Sequence, residues 1–298
     1  MMISKKVVVI GAGAAGLMAG ATAALYGASV TIIEKNKRVG RKIMITGKGR
    51  CNLANNCDVQ TFINNVPVNG KFLYSAINAF TPEDTIEFFE SKGLKTKTER
   101  GNRVFPASDK SVDVVDTMHD YAVESGCKIV CDTANALILE DGAVIGVKCE
   151  ENTYYADSVI ICCGGKSYPL TGSTGDGYTL AKQAGHTIVP LKPSLVPFTS
   201  GDKQCKDMQG LALKNVALRI VDKNSKKTVY SDFGEMLFTH FGMSGPMILS
   251  ASSVILRKLT SSRHLILNTL TGVFRTISKR IQTVMFQTHF QSFCREKS

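Results

Sequence analysis

Three glycines and one glutamate near the start of the chain have a spacing that suits phosphate and ribose binding. Gly11, Gly13 and Gly16 form a G-x-G-x-x-G pattern, and Glu34 follows 18 residues after the last glycine. In this pattern the glycines permit a tight turn, close approach of a pyrophosphate, and close packing of a helix on a strand. Free N–H groups at the helix start bind the phosphates. The acid binds a ribose hydroxyl, which predicts FAD or NAD rather than NADP.

A cluster of cations follows the glutamate. Five cations lie within 13 residues, with glycines at positions 40, 47 and 49 between them: Arg38, Arg41, Lys42, Lys48 and Arg50. We interpret this segment as a loop that wraps the pyrophosphate and carries Arg50-Cys51-Asn52 towards a ring system. A solvated basic loop without a ligand is the alternative interpretation.

The hydrophobic pattern predicts the elements that must position these residues. Lys6–Ile10 is a β-branched run typical of a buried parallel strand, and Val30–Ile33 predicts a second strand. Between them, Ala14–Tyr26 is rich in Ala, Leu and Met and predicts a helix that ends at Gly27. With a strand before it and a helix after it, the glycine pattern is strong evidence for a dinucleotide-binding fold. The uncharged run Val7–Ile33 also fits a signal peptide or a membrane span, but the glycine spacing argues against both.

Two longer motifs resemble a known family. GAGAAGLMA together with EKNKRVGRKIMITGKGRCNLAN is similar to the BaiN-type, aminoacetone-oxidase-like family of NAD(P)/FAD-dependent oxidoreductases. The resemblance implies an α/β fold, with a glutathione-reductase-like Rossmann FAD-binding domain and an inserted, mainly β second domain. It also implies that FAD contacts residues in the first part of the chain: Gly11, Gly13, Ala14, Ala15, Gly16, Glu34, Lys35, Arg41, Lys42, Arg50, Cys51 and Asn52.

Later motifs extend the site that the resemblance implies. Ala134 aligns with a family position whose backbone contacts adenine. Ser158–Cys162 predicts a strand that leads to Gly164-Gly165, where the family usually has Ala-Thr before the glycines and this chain has Cys162-Cys163. Thr174-Gly175-Asp176-Gly177 opens a predicted helix, and such a segment recurs near flavin in fumarate-reductase-like enzymes. A structural N-cap loop is the alternative for this segment.

Two residues are candidates for catalysis, although a different role is favoured for each. Cys51 could be a redox thiol, but it has no CxxC partner, which favours packing or a backbone role. His240 could act as an acid or base, but a turn residue with satisfied hydrogen bonds is more common. No catalytic residue is therefore assigned. The cysteine spacing does not fit a metal site, so no metal is expected.

Charge and cysteine content predict the organisation of the chain. Nine cysteines without a regular framework indicate a reducing compartment, the cytoplasm. The net charge of +11 is concentrated after residue 256, where eight Lys/Arg accompany one acid. We expect a Rossmann FAD-binding domain over 1–188, an inserted mainly β domain over 189–267 and an atypical basic tail over 268–298. Because the resemblance covers about residues 1–257, a truncated or frame-shifted family member is expected.

The resemblance predicts an FAD-dependent oxidoreductase. It would transfer hydride between flavin and an unidentified small molecule, with NAD(P)H as the expected electron donor. Two alternatives stay open, namely a truncated, non-catalytic flavin-binding fragment and an RNA-binding, tRNA-modifying flavoprotein. A nucleic-acid partner is not expected, since residues 1–256 are nearly neutral. No membrane span is expected, and the oligomeric state is left open.

Overall fold

The computed structural model describes residues 4–222, 226–258 and 265–270. The chain divides into two compact units, Met1–Val189 and Pro190–Ser298. The helices of the first unit are α1 (Ala14–Leu25), α2 (Arg41–Ile45), α3 (Val59–Asn64), α4 (Tyr74–Ala79), α5 (Pro82–Ser91), α6 (Ser111–Glu124) and α7 (Asp176–Gln183). Its strands are β1 (Lys6–Ile10), β2 (Ser29–Glu34), β3 (Ala54–Asn55), β4 (Thr96–Glu99), β5 (Arg103–Pro106), β6 (Lys128–Cys131), β7 (Ala134–Glu140), β8 (Ala143–Cys149), β9 (Thr153–Tyr155) and β10 (Ser158–Ile161).

A parallel sheet in the order β10-β1-β2-β6 forms the centre of the first unit. Successive side chains of a strand point to opposite faces, and in this sheet both faces are apolar. Val9 and Ile32 are fully buried on one face, whereas Val8, Ile10 and Ile33 are buried on the other. Continuous apolar strands of this kind are what a parallel sheet with both faces covered requires.

Different layers cover the two faces of this sheet. On one face, α1 and α6 pack together and contribute Leu17 and Met118 to the core. On the other face, the antiparallel sheet β7-β8-β9 and α7 contribute Val147 and Leu180. The turns that follow β1, β2 and β10 therefore emerge between two rigid layers.

The end of the cationic segment packs on a small antiparallel sheet in the order β3-β5-β4. The backbone N–H of Leu53 donates to the carbonyl of Val104 at 2.9 Å. Val104 and Phe105 are almost completely buried. This sheet thus provides a fixed surface for the chain at residues 50–53.

The second unit is mainly β. Its strands are β11 (Phe198–Thr199), β12 (Ala212–Asp222), β13 (Thr228–Thr239), β14 (Gly242–Ser244) and β15 (Leu265–Leu270), and its helices are α8 (Lys203–Asp207) and α9 (Pro246–Lys258). The strands form one antiparallel sheet in the order β11-β14-β13-β12-β15. α9 packs on this sheet and buries Met247, Ile248 and Ile255 against it.

The predicted fold class is confirmed: the chain has an α/β Rossmann domain and a mainly β second domain. Among the described residues, no helix has the length and apolar character that crossing a bilayer would require. The predicted basic tail lies mostly outside the described residues, because nothing after Leu270 is described.

Candidate functional site

A cavity of about 610 Å³ lies at the carboxyl ends of the central parallel strands. Its lining comes from the glycine turn, the end of β2, the cationic segment, the start of β7 and the turns after β10: Ile10, Gly11, Ala12, Gly13, Ala14, Ala15, Ile33, Glu34, Lys35, Asn36, Gly40, Arg41, Lys42, Ile43, Thr46, Asp132, Thr133, Ala134, Ile161, Cys162, Cys163, Gly164, Thr171, Gly172, Ser173 and Asp176. In open α/β sheets, ligands bind at this edge. Cofactor-sized sites typically measure about 300–1,000 Å³.

The backbone itself requires two of the fingerprint glycines. Gly11 has φ +101°, and a Cβ there would lie 2.6 Å from the carbonyl oxygen of Cys162. A Cβ on Gly16 would lie 1.8 Å from the carbonyl oxygen of Gly11. No real Cβ approaches so closely, so these two positions accept glycine alone. Gly16 is buried beneath the cavity rather than in its lining.

Gly13 is different, because neither its backbone conformation nor its packing requires a glycine. Its φ and ψ of −84° and −172° are open to any residue, and a Cβ there would have no neighbour within 4 Å. It is the N-cap of α1, which has no side-chain cap and no acid in its first turn. The free N–H groups of that turn therefore meet the cavity beside Ala14 and Ala15. A helix start of this kind is suited to an anion.

Glu34 lies at the mouth of the glycine turn. Its Oε2 accepts a hydrogen bond from the N–H of Ala12 at 2.9 Å. Its Oε1 accepts from the N–H of Asn36 at 2.9 Å, and the Asn36 side-chain amide also donates to it. The carboxylate is thus oriented along the edge of the cavity that an adenosine ribose would occupy in a Rossmann domain.

The end of β2 is joined to the Thr174–Gly177 segment by a cation. Lys35 Nζ donates to Thr174 Oγ1 at 2.7 Å and to Asp176 Oδ2 at 2.6 Å. Burial opposes ionisation of Asp176, but the hydrogen bonds from Lys35 and Thr174 outweigh it and lower the pKa of this carboxyl. Lys35 and Asp176 line the cavity, whereas Thr174 and Gly175 lie outside its lining.

Two more cations of the predicted site reach the cavity. Arg41 Nη1 donates to the Asn36 side-chain oxygen at 2.6 Å. Lys42 Nζ donates to Ser167 Oγ at 3.3 Å. Both residues belong to α2, a short helix, so part of the segment that we expected to be a loop is helical. Their positive charge faces the same space as the free N–H groups of α1.

The floor of the cavity contains the two adjacent cysteines. Cys162 and Cys163 line it together with Gly164, and Gly165 lies outside the lining. Burial raises the pKa of the Cys163 thiol to about 11, with the Asp176 charge as a second cause. This thiol is therefore protonated at neutral pH and presents an uncharged surface to a ligand.

The structure places Arg50, Cys51 and Asn52 outside the lining of the cavity. Arg50 pairs with Glu99 and Asp109. Burial raises the pKa of the Cys51 thiol to about 11.

His240 lies in the second unit, where it is exposed and its ring contacts that of Phe241 edge-on. Within the part of the chain that the structure describes, no group of His, Cys, Asp or Glu side chains could hold a metal ion.

Several lining residues escaped the sequence analysis. Asn36 is two residues from Glu34 and could have been noticed for that reason. Asp132 follows β6 and is buried; its carboxylate accepts from the N–H groups of Thr133, Glu151 and Asn152. Burial alone would raise the pKa of Asp132, but these hydrogen bonds stabilise the carboxylate more strongly, so its pKa is lowered. Asp132 thereby orders the turn beside Ala134, which also lines the cavity. No local motif marks it.

A parallel sheet, a glycine turn before an uncapped helix, and an acid at the end of the second strand define a Rossmann nucleotide-binding domain. A model of the HI0933-like protein Rossmann domain matches residues 5–273 of this chain. The chain therefore belongs to the HI0933-like protein family, and the family resemblance seen in its motifs is confirmed.

Named relatives extend this comparison. The chain is 30% identical over 260 residues to a 3-dehydro-bile acid delta(4,6)-reductase from Clostridium scindens, covering 86% of this chain and 62% of the relative. It is 30% identical over 247 residues to a ribosomal RNA dihydrouridine synthase from Escherichia coli, covering 83% of this chain and 60% of the relative. The chain thus spans about three fifths of the length of these relatives.

A solved structure of 3-ketosteroid-delta4-(5alpha)-dehydrogenase from Rhodococcus jostii is also similar. The TM-score is 0.48 at 15% sequence identity, over 74% of this chain and 67% of that chain.

Proposed function

We propose that this protein binds FAD in the cavity and transfers hydride between the flavin and an organic substrate. The observation that carries the proposal is Gly13. The protein's own packing leaves its missing side chain unexplained, whereas a pyrophosphate lying against the start of α1 would require it. Glu34, held at the mouth of the same turn, supports a ribose at the next position.

The chain's own residues would bind and orient the cofactor. The N–H groups of Ala14 and Ala15 would hold the phosphates, with Arg41 and Lys42 adding positive charge. Glu34 would accept from the ribose hydroxyls, and the backbone at Ala134 would contact adenine. The cofactor supplies the hydride chemistry, while the protein supplies position and electrostatics.

The names of the relatives support a class of substrate. One name states reduction at the 4 and 6 double bonds of a 3-dehydro bile acid, and the other states synthesis of dihydrouridine. Both describe addition of hydrogen to an unsaturated ring. We extend this to the present chain: its substrate is a small unsaturated ring compound, and NAD(P)H reduces the flavin. The cysteines in the described residues are unpaired, which supports work in a reducing cytoplasm.

A second candidate is a ribosomal RNA substrate, because relatives from Escherichia coli and Haemophilus influenzae carry the dihydrouridine synthase name. Binding of RNA depends steeply on salt, since it releases counterions from phosphates. Titration of the full chain with ribosomal RNA at two salt concentrations separates this candidate from a small-molecule reductase, for which substrate binding would change little.

The test of the main proposal is the colour of the purified full chain. Visible flavin absorption that NADH or NADPH bleaches under anaerobic conditions is the expected result. Folded protein that stays colourless and does not quench the fluorescence of added FAD would overturn the proposal and favour the non-catalytic fragment. Coloured protein that neither nucleotide bleaches would retain the flavin site and overturn the NAD(P)H step.

A further inference from the structure

Arg50 uses its guanidinium to bind two carboxylates from the region of β4 and β5. Nη1 and Nη2 donate to the two oxygens of Glu99 at 2.8 and 3.1 Å, a bidentate pair. Nη1 also donates to Asp109 Oδ1 at 3.0 Å. The guanidinium lies over the ring of Phe105, 4.0 Å from its centroid. This set of contacts needs a planar fork of donors, which lysine lacks.

The side chains of Cys51 and Asn52 also contact other parts of the protein. The Cys51 side chain is 4% exposed and belongs to the core shared with α1 and α6. The Asn52 amide, oriented by its hydrogen-bond network, donates to the carbonyls of Val104 and Ala54 at 3.2 and 2.9 Å. Arg50, Cys51 and Asn52 are therefore all anchored on the small sheet or in the core. None of the three lines the cavity, so their effect on it must pass through the loop that begins at Thr46, which does.

That backbone has an unusual conformation. Gly47, Lys48, Gly49 and Cys51 have φ of 59°, 60°, 84° and 60°. A left-handed conformation is unfavourable for a residue other than glycine, so surrounding contacts must maintain it at Lys48 and Cys51. The loop returns on itself, because the N–H of Cys51 donates to the carbonyl of Thr46 at 2.9 Å. Thr46 lines the cavity, so the shape of the loop affects the cavity directly.

We propose that Arg50 is a positioning residue, which with Glu99 and Asp109 clamps the Thr46–Asn52 loop into the shape that completes the cavity. The cofactor part of this inference rests on the proposed function, since it takes FAD as the ligand. The clamp itself does not, because it concerns the folded chain without ligand. It assigns to Glu99 and Asp109 a role in ligand binding, although neither lines the cavity.

The direction in which Glu99→Gln changes FAD affinity distinguishes the clamp from a simple effect of charge. Glu99→Gln removes a negative charge, so by electrostatics alone it would favour an anionic ligand. The clamp predicts the opposite, a weaker FAD complex, because the loop loses its anchor. Asp109→Asn provides the same comparison at the second carboxylate. Arg103→Gln is the matched control, since Arg103 is an exposed arginine on the same sheet and donates only to the carbonyl of Arg100 among the contacts of its side chain that the structure describes.

The experiment measures two properties of each full-length variant. The first, without FAD, is the rate of trypsin cleavage after Lys48, which follows the population of the open loop. The second is the dissociation constant of FAD from flavin fluorescence. For Glu99→Gln, Asp109→Asn and Arg50→Lys we expect faster cleavage and weaker FAD binding, each by roughly tenfold. Arg103→Gln should match the wild type in both, and circular dichroism confirms that each variant folds.

Each outcome has one meaning. Wild-type cleavage in both carboxylate variants would overturn the clamp. Weaker FAD binding in Arg50→Lys alone, with normal cleavage, would also overturn it, because Arg50 would then contact the cofactor. If the wild type binds no FAD, the proposed function fails, while the cleavage rates still decide whether the clamp exists.

Discussion

The Oε2 atom of Glu34 accepts a hydrogen bond of 2.9 Å from the backbone N–H of Ala12, 22 residues earlier in the chain. This bond joins the end of β2 to the turn between β1 and α1. It places a carboxylate beside the N–H groups that face the cavity, so a ribose and a pyrophosphate would be held by adjacent parts of one crossover. This geometry supports the proposal that Glu34 accepts hydrogen bonds from a ribose of the bound nucleotide.

Glu34→Gln tests the ribose contact. The variant keeps the size of the side chain and an oxygen that can accept from Ala12, so the fold should persist. We expect the dissociation constant of FAD to rise about tenfold, since hydrogen bonds to a charged group contribute about 1.5–3 kcal/mol. Isothermal titration at fixed ionic strength measures it, with Glu140→Gln, an exposed acid of β7, as the control. Equal effects of the two variants would contradict the assignment.

Gly13→Ala and Gly16→Ala form a matched pair in one turn. At Gly13 a Cβ meets open space, so stability should change by no more than the N-cap preference for glycine over alanine, about 1 kcal/mol, while FAD binding weakens. At Gly16 a Cβ would lie 1.8 Å from the Gly11 carbonyl, so stability should fall by about 1–3 kcal/mol or more.

Urea unfolding measures stability in both glycine variants, and fluorescence quenching measures FAD binding in Gly13→Ala. A large loss of stability in Gly13→Ala would show that the protein itself needs this glycine. The missing side chain at Gly13 would then indicate a need of the fold and not a ligand.

Asp176→Asn tests the link between β2 and the Thr174–Gly177 segment through pH. The folded-state pKa of Asp176 is lowered, so its carboxylate stabilises the fold above the unfolded value of about 3.9. This contribution is lost as the pH falls through the lowered folded value. We therefore expect the difference in Tm between wild type and Asp176→Asn to be largest above about pH 4 and to shrink in more acidic buffer. A difference in Tm that stays constant over this pH range would show that the Asp176 charge does not hold the segment in place.

Local chain chemistry made much of the Rossmann domain predictable. β1 has the predicted bounds, and α1 ends one residue before the predicted end, because β-branched and Ala-rich runs specify these elements without help from distant residues. In the second unit, alternating apolar residues predict strands over Val216–Val221 and Thr228–Phe233. The observed β12 and β13 extend beyond these bounds. Pairing between the two strands continues past an irregularity between Leu213 and Val216, which an alternation pattern does not reveal.

Local sequence patterns could not predict the ion-pair partners of the charged site residues, because these partners are distant in the sequence. Lys35 pairs with Asp176, 141 residues away, and Arg50 pairs with Glu99, 49 residues away. Local spacing showed a cluster of cations after Glu34, but it did not show which of them the fold would neutralise. Arg41 and Lys42 face the cavity, whereas Arg50 is bound by two carboxylates. Only the three-dimensional arrangement separates a cation that can meet a phosphate from one that anchors a loop.

The reactivity of Cys51 decides whether this thiol can take part in redox chemistry. Its side chain is 4% exposed, and burial raises its pKa to about 11. At pH 8 the thiolate fraction is then on the order of one in a thousand, so alkylation by iodoacetamide should be far slower than at the exposed Cys131. Mass spectrometry of the native protein after timed labelling measures both sites. Rapid labelling of Cys51 at a rate matching Cys131 would restore it as a redox candidate, while slow labelling leaves it in the packing role that its place in the core indicates.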